Sequence, residues 1–269
     1  MVPDPMSGRD ERGILPRSDG ASIAYRRVVC PAGDTPPPTV IFLHGLMSDM
    51  EGGKAAHLAA HAELTGFSFL RFDMSGHGKS SGAFTDGCVG LWRDDTLAVI
   101  DRLTDGPLIL VGSSMGGWVM LLAALARPDR VKALIGIAPA PDFTEDTIRP
   151  AMTPEDIRAF DRDGLVHLED DDGTYPVSRI LMEDGAKNLL LRKSIRFTGP
   201  VRILQGMRDA SVPWRTALTL ADRLDSEDVA VTLVKDGDHR LSRTQDLLLL
   251  TRTLDALMAE RFQMVDPGV

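Results

Sequence analysis

The sequence predicts an α/β fold with a mostly parallel central sheet flanked by helices. Three observations carry this. Short apolar runs rich in β-branched and aromatic residues recur along the chain, apolar at consecutive positions as strands buried on both faces are. Helical patterns separate these runs, which is the alternation of βαβ units. One run, residues 107–111, breaks abruptly at glycine and serine and passes straight into helix formers.

In chain order, residues 1–20 are rich in Pro, Gly and charge and read as a loose leader. Residues 21–29 alternate in polarity and read as an edge strand. A Pro-rich turn spans 31–38. Thr39-Val40-Ile41-Phe42-Leu43 is apolar throughout and reads as a buried strand that ends at His44-Gly45-Leu46-Met47-Ser48. Residues 54–64 read as a helix and 67–73 as the next strand, which runs into a Gly-rich turn over 74–82. An amphipathic helix over 91–103 precedes Gly106-Pro107 and the strand 107–111. Helix formers at 119–126 follow, and Pro128 stops them. Residues 131–138 read as a further strand.

The alternation then stops. Residues 139–198 show no strand signal; they hold several Pro, the acidic run Glu169-Asp170-Asp171-Asp172, and weak helical patterns at 154–161 and 177–191. A stretch this long inside a compact domain carries its own structure or function. It is expected to be a small helical cap over the site, inserted in a core made of 1–138 and 199–269. The acidic run reads as a solvated cap loop. The alternation resumes with a strand at 201–205, a helix at 214–224, a strand at 229–234 and a terminal helix at 241–261.

Composition fits one domain of this kind. A chain of 269 residues accommodates a large α/β core with an insertion. With 43% hydrophobic and 26% charged residues it can fill that core, which excludes global disorder. A net charge of -9 argues against nucleic acid or an anionic membrane surface as a partner. The two cysteines, Cys30 and Cys88, make neither a disulfide framework nor a zinc site. No apolar run approaches the roughly 20 residues of a membrane span, so no stable membrane insertion is expected. Residues 1–12 carry Asp4, Asp10 and Glu11 and no apolar h-region, unlike a secretory signal or an acidic-poor transit peptide. A cytoplasmic protein is expected. No pattern specifies an oligomer.

The chemistry centres on Gly112-Ser113-Ser114-Met115-Gly116. This is G-x-S-x-G between a strand and a helix, the context of a nucleophile elbow with Ser114 at its tip. Gly112 and Gly116 leave room for the tight turn. A second match, Gly78-Lys79-Ser80-Ser81-Gly82, follows a turn and precedes no helix-forming run, so Ser80 is not the expected nucleophile.

A serine hydroxyl becomes nucleophilic when a base takes its proton and a third group orients the base. In an elbow-bearing sheet the chain order is Ser, acid, His. His167 and His239 follow Ser114. His167 lies in the cap, before the acidic run. His239 lies beyond the last strand, in a loop at the sheet edge where ligands collect, and is the expected base. Asp209, at a turn directly beyond 201–205, is the expected acid. Asp236 and Asp238 are nearer to His239 in sequence, but chain neighbours rarely point at an imidazole, so they read as turn formers. The oxyanion needs two N–H donors. Met115, after the nucleophile, and Leu46, in the loop after strand 39–43, are expected to supply them. His44 reads as structural, bonding loop backbone.

Other patterns read blandly. Gly78-Lys79-Ser80 looks like the tail of a P-loop, but Asp73 stands where the upstream glycine is required. Gly76-x-Gly78 lacks the third glycine of a dinucleotide fingerprint. His57 and His61 share a helix with no third metal ligand and read as a solvated face. Asp73 and His77 read as holding their turn. No metal or organic cofactor is expected. Phe143, Ile148, Met152, Ile157 and Phe160 read as the cap's own small core, with an acyl pocket as the alternative.

Several longer pieces carry a resemblance. They are Phe72-Asp73-x-Ser75-Gly76-x-Gly78-x-Ser80, Leu91-Trp92-Arg93, the elbow from Gly106 to Trp118, Ala126-Arg127-Pro128 and Ala133-Leu134-Ile135-Gly136. Further on are Gly206-Met207-x-Asp209, Val212-Pro213-Trp214, Ala221-Asp222-Arg223 and Asp238-His239-Arg240. With these the chain resembles the α/β-hydrolase superfamily over nearly its whole length. Within it, the chain is similar to the small mitochondrial α/β-hydrolase-domain family of palmitoyl-protein thioesterases and acyl-glucuronide esterases. The resemblance implies an α/β-hydrolase fold and a triad of Ser114, Asp209 and His239. The chain departs from the family at His44 and across the cap. Its leader lacks the composition of a transit peptide, so the mitochondrial address is not carried over.

The expected reaction is hydrolysis of an ester or thioester through an acyl-Ser114 intermediate. The expected substrate is a small-molecule ester or an acylated cysteine. Thioesters are the easier case, because a thiol ionises near pH ~8.5 and needs little help from a general acid. A generic short-chain carboxylesterase, or a cofactor-free perhydrolase or C–C hydrolase on the same triad, is the alternative. A binding protein without turnover is disfavoured, since every triad position is filled.

Overall fold

The computed structural model describes residues 9–30, 37–170 and 173–262. The first half of the chain forms β1 (Arg9–Pro16), β2 (Ser22–Val29), β3 (Thr39–Leu43), α1 (Gly53–Thr65), β4 (Phe69–Phe72), α2 (Val89–Leu103), β5 (Leu108–Ser113), α3 (Met115–Ala126) and β6 (Val131–Ile137). Residues 139–198 hold a π-helical turn, Thr144–Ile148, that continues as α4 (Arg149–Ala151). They also hold α5 (Pro154–Asp163), β7 (Leu165–Asp170), β8 (Gly173–Ser178) and α6 (Arg179–Gly185). The chain ends with β9 (Val201–Gly206), α7 (Arg215–Arg223), β10 (Val229–Val234) and α8 (Thr244–Phe262).

The main sheet has the order β1-β2-β4-β3-β5-β6-β9-β10. From β4 to β10 neighbouring strands are parallel; β2 is antiparallel to β4, and β1 to β2. β4 and β5 are buried at every position; β5 reads as an unbroken apolar run over Leu108–Val111, while β4 carries one charge, Arg71, which donates to Met50 O at 3.0 Å. Alternate residues of β5 feed opposite faces. Leu108 and Leu110 pack with Trp92, Trp118 and Leu220 under α2, α3 and α7. Ile109 and Val111 pack with Leu58 and Leu254 under α1 and α8.

The loose-leader expectation is corrected at residues 9–16, which form the sheet edge and leave β2 in the interior. The charges that suggested a leader are what join this strand to its neighbour. Glu11 stands opposite Arg27, with Oε2 2.9 Å from Nε, and Arg26 ion-pairs with Asp10. Charged edge strands of this kind also resist pairing with other molecules. Residues 1–8 of the leader, and 31–36 of the Pro-rich turn, lie outside the described residues.

The 139–198 segment is corrected too: it is not wholly helical. β7 and β8 form an antiparallel hairpin, from Leu165 opposite Ser178 to Asp170 opposite Gly173. Val166, Leu168 and Val177 are buried, while His167 and Glu169 are exposed. That alternation is short, and Pro176 interrupts the β8 pattern, so no strand signal stood out. Of the acidic run, Glu169 and Asp170 belong to β7, and 171–172 lie outside the described residues. α5 follows its pattern closely, because Thr153 and Asp156 form a capping box and Gly164 ends the helix at φ 71°.

Asp142 ties the two ends of this segment together. Its carboxylate accepts the N–H groups of Leu190 at 2.7 Å and Leu191 at 2.8 Å. The residue is fully buried, with φ 62°, and burial holds its carboxyl above the usual range. Trp118 of α3 adds a second tie. Its indole N–H donates to Asn188 O at 3.1 Å, and its ring meets Phe143 edge-on.

Candidate active site

β5 delivers Ser114 in a backbone conformation that few non-glycine residues adopt, φ 54° and ψ −121°. Three backbone hydrogen bonds hold it there. The Ser114 N–H donates to Ile137 O at 2.9 Å, and its carbonyl accepts from Gly117 at 2.8 Å and Ala140 at 3.0 Å. A Cβ at Gly112 would stand 2.5 Å from Gly116 O, and one at Gly116 would stand 2.3 Å from Leu43 O. Both glycines of the motif are therefore required by close approach.

The loops after β5, β9 and β10 bring Ser114, Asp209 and His239 together. His239 Nε2 accepts from Ser114 Oγ at 3.0 Å. His239 Nδ1 lies 2.8 Å from Asp209 Oδ2. A carboxylate only accepts, so Nδ1 carries the proton and Nε2 faces the serine as an acceptor. The Asp209 side chain is fully buried, and His239 is one-fifth exposed. The other Asp209 oxygen accepts from the backbone of Val212 at 2.7 Å and Ser211 at 3.0 Å. Asp238 caps its own turn through Leu241 N–H at 2.9 Å, and Asp236 pairs with Arg243.

Gln205 belongs to this group, and pattern reading passed over it. It is fully buried, and its amide N–H donates to Asp209 Oδ2 at 2.8 Å. The available signal was a polar residue closing the apolar run of β9, four positions before Asp209.

The loop after β3 closes over the elbow. A Cβ at Gly45 would touch the Ser114 Cβ at 3.3 Å. His44 bonds loop backbone: Nδ1–H donates to Gly45 O at 2.8 Å, and Nε2 accepts from Met74 N–H at 3.1 Å. Burial lowers its pKa to about 4, so it stays neutral. His77 packs against it, also lowered to about 4 by burial. Asp73 accepts the N–H groups of Met50 and Lys79, each at 2.7 Å. Ser80 Oγ donates to Asp73 O and accepts from Ala24 N–H at 2.9 Å, so it closes the Gly-rich turn. His57 and His61 are not solvated as expected. Both are half-buried where α1 packs on α8, and His61 Nε2 meets Asp255 at 2.7 Å. Among the described residues, no three His, Cys, Asp or Glu side chains gather as a metal site, and no helix is long and apolar enough to cross a membrane.

Two cavities meet at Ser114 and His239. One, of about 150 Å³, is mainly apolar and is lined by Leu46, Met115, Phe143, Ile148, Tyr175 and Val212. The other, of about 580 Å³, is more polar and is lined by His44, Ser48, Asp49, Lys54, Arg240 and Ser242. Leu46 and Met115 line the first cavity together with Ser114. The apolar residues of 139–198 divide. Phe143 and Ile148 line the first cavity, Met152 and Phe160 are buried without lining it, and Ile157 is 46% exposed.

Residues 38–165 match the family model described as alpha/beta hydrolase fold. The palmitoyl-protein thioesterase ABHD10, mitochondrial, of Rattus norvegicus is 41% identical over 247 residues, covering 91% of this chain and 82% of the rat protein. The chain belongs to the α/β-hydrolase family. This α/β-hydrolase is also similar to two solved structures, each covered over 93% of this chain and 99% of the other. A putative hydrolase from Agrobacterium vitis S4 is 39% identical with a TM-score of 0.88, and alpha/beta hydrolase domain-containing protein 10 from mouse is 38% identical with a TM-score of 0.85. The chain is therefore an enzyme, a hydrolase of ester or thioester bonds. The cytoplasmic expectation is overturned: the mammalian proteins similar over 91% of this chain are mitochondrial by name. The composition of the leader was too weak a guide to compartment.

Proposed function

We propose that Ser114 is the nucleophile, His239 the general base and acid, and Asp209 the group that orients His239. The observation that carries this reading is the hydrogen-bond chain of 3.0 Å from Ser114 to His239 and 2.8 Å from His239 to Asp209. Ser114 Oγ attacks the carbonyl carbon while its proton passes to His239 Nε2. The oxyanion lies on the N–H groups of Met115 and Leu46. His239 returns the proton to the departing thiolate or alkoxide, leaving acyl-Ser114. Water then attacks, giving its proton to His239, and Ser114 leaves with that proton as the acid is released.

Residues 139–198 act as the cap, over a core of 1–138 and 199–269. The apolar cavity, walled by Phe143 and Ile148 of the cap, takes the acyl group. The polar cavity takes the leaving group. The substrate class is an S-acylated cysteine thioester, supported by the name palmitoyl-protein thioesterase borne by relatives 38–41% identical. A second reading, a carboxylesterase for short acyl groups, is favoured by the size of the acyl cavity. At about 150 Å³ it matches a cavity that holds a benzene-sized ligand.

A fluorophosphonate probe tests the first step. Wild-type protein is expected to label at Ser114 and Ser114→Ala not at all; labelling that survives in Ser114→Ala removes the assignment. The ratio of kcat/KM for a palmitoyl thioester and a butyryl ester then separates the two substrate readings.

A further inference from the structure

We propose that Met47 sets the acyl length this enzyme accepts, by separating the acyl cavity from a second space into which longer chains extend. The inference rests on Ser114 as nucleophile and on the apolar cavity as the acyl site.

Three cavities surround the loop after β3. The first two meet at Ser114. The third, of about 310 Å³, lies among Gly76, His77, Gly78, Phe84 and Pro176, with Ser48 and Asp49. Among the described residues, Met47 alone lines all three. Its backbone stands at φ 56°, a conformation that glycine takes freely and an apolar side chain seldom does. The residue is 57% exposed, so few contacts fix it. A methionine is unbranched, with three rotatable side-chain bonds, and adapts to what it meets.

Size makes the divider matter. A cavity of about 150 Å³ matches a ligand of roughly six carbons. A longer chain must leave it. Strand β8 borders both spaces. Gly173, Thr174 and Tyr175 border the acyl cavity, and the next residue, Pro176, borders the third cavity. Phe84, edge-on to the His77 ring, adds apolar surface there. A chain following β8 passes Met47 and enters a space about twice as large. Short acyl groups bind with Met47 in place; long ones turn it aside.

The test compares kcat/KM for butyryl and palmitoyl thioesters in wild type, Met47→Gly and Met47→Phe. Glycine suits the positive φ and removes the divider, so the palmitoyl-to-butyryl ratio is expected to rise about tenfold or more, the worth of two buried methylenes. Phenylalanine is expected to lower it. A ratio unmoved in both variants overturns the proposal. A crystal structure of the wild-type Ser114 adduct with a hexadecyl fluorophosphonate needs no variant. A chain lying beside Pro176 and His77 supports the proposal, and a chain in the polar cavity or in solvent overturns it. Failure to form any Ser114 adduct would instead remove the nucleophile assignment, so the two failures are distinguishable.

Discussion

The sheet edge and the proposed cap, residues 139–198, are held by different kinds of force. Ser114, Asp209 and His239 stand on loops that leave β5, β9 and β10, and the backbone ladder of the sheet sets those loops. Residues 139–198 meet the rest of the chain through apolar packing of Phe143, Leu181 and Met182 with Trp92 and Trp118, and through a few side-chain hydrogen bonds. Trp118 donates to Asn188 O and Asp184 accepts the Gly90 N–H at 2.7 Å, while Asp142 closes the segment on itself through Leu190 and Leu191. A ladder repeats one interaction at every residue and tolerates side-chain change. A side-chain tie is lost with one substitution. The proposed chemistry is thus built on the backbone geometry of strands, and the proposed choice of acyl group on parts held by side chains.

Substitutions at the two regions should break in different ways. The largest effect is expected at the edge: Ser114→Ala or His239→Ala should lower kcat by about 10⁴ or more with binding largely kept. Single-turnover kinetics and thermal melts check that chemistry falls while the fold stands. Ser80→Ala, in the Gly-rich turn, should leave turnover and cost only stability, since its hydroxyl bonds backbone there.

At the cap, Asp142→Ala should cost about 2–4 kcal/mol of stability by stranding two buried N–H donors. Because no triad contact is touched, KM should rise more than kcat falls. Asp142→Asn keeps one acceptor and tolerates the positive φ, so denaturant melts should find it closer to wild type.

A smaller effect is expected from Gln205→Leu, which removes one of the donors to Asp209 Oδ2 at similar volume. It should lower kcat roughly tenfold, with little change in KM, by loosening the acid that orients His239. Steady-state kinetics on a short ester read this. An effect on KM alone would place Gln205 outside the relay.

The smallest effect concerns pH. Burial lowers the His77 pKa to about 4 in the folded protein, against about 6.5 in the unfolded chain. Between those values the unfolded chain binds more protons. The stability that this neutral histidine contributes is therefore full above about 6.5 and lost as pH falls toward 4. His77→Phe should reduce the drop in Tm between pH 7 and pH 5 by a few degrees, measured as the difference from wild type. Equal slopes would show that His77 titrates normally.

Much of the edge was readable because its signals are local. β3 and β10 end where their apolar runs end, and Gly112 and Gly116 flank Ser114 where a Cβ would collide with backbone. The order Ser, acid, His then picks out Asp209 and His239 from a short list. β1 was hidden because its partner charges, Arg26 and Arg27, lie on another strand. The cap hairpin was hidden because it buries one face over a few residues with Pro176 in its midst. Gln205 was hidden because a buried amide shows its purpose only through the carboxylate it meets.

The sequence by itself determined the α/β architecture, the elbow and the identity of the three residues that gather there, because periodicity, glycine spacing and chain order are properties of single segments. Only the tertiary structure decided which donors hold Asp209, where the cap ties down, and that Met47 stands where three cavities meet. Those depend on groups far apart in the chain, brought within a few ångströms by packing that no one segment encodes.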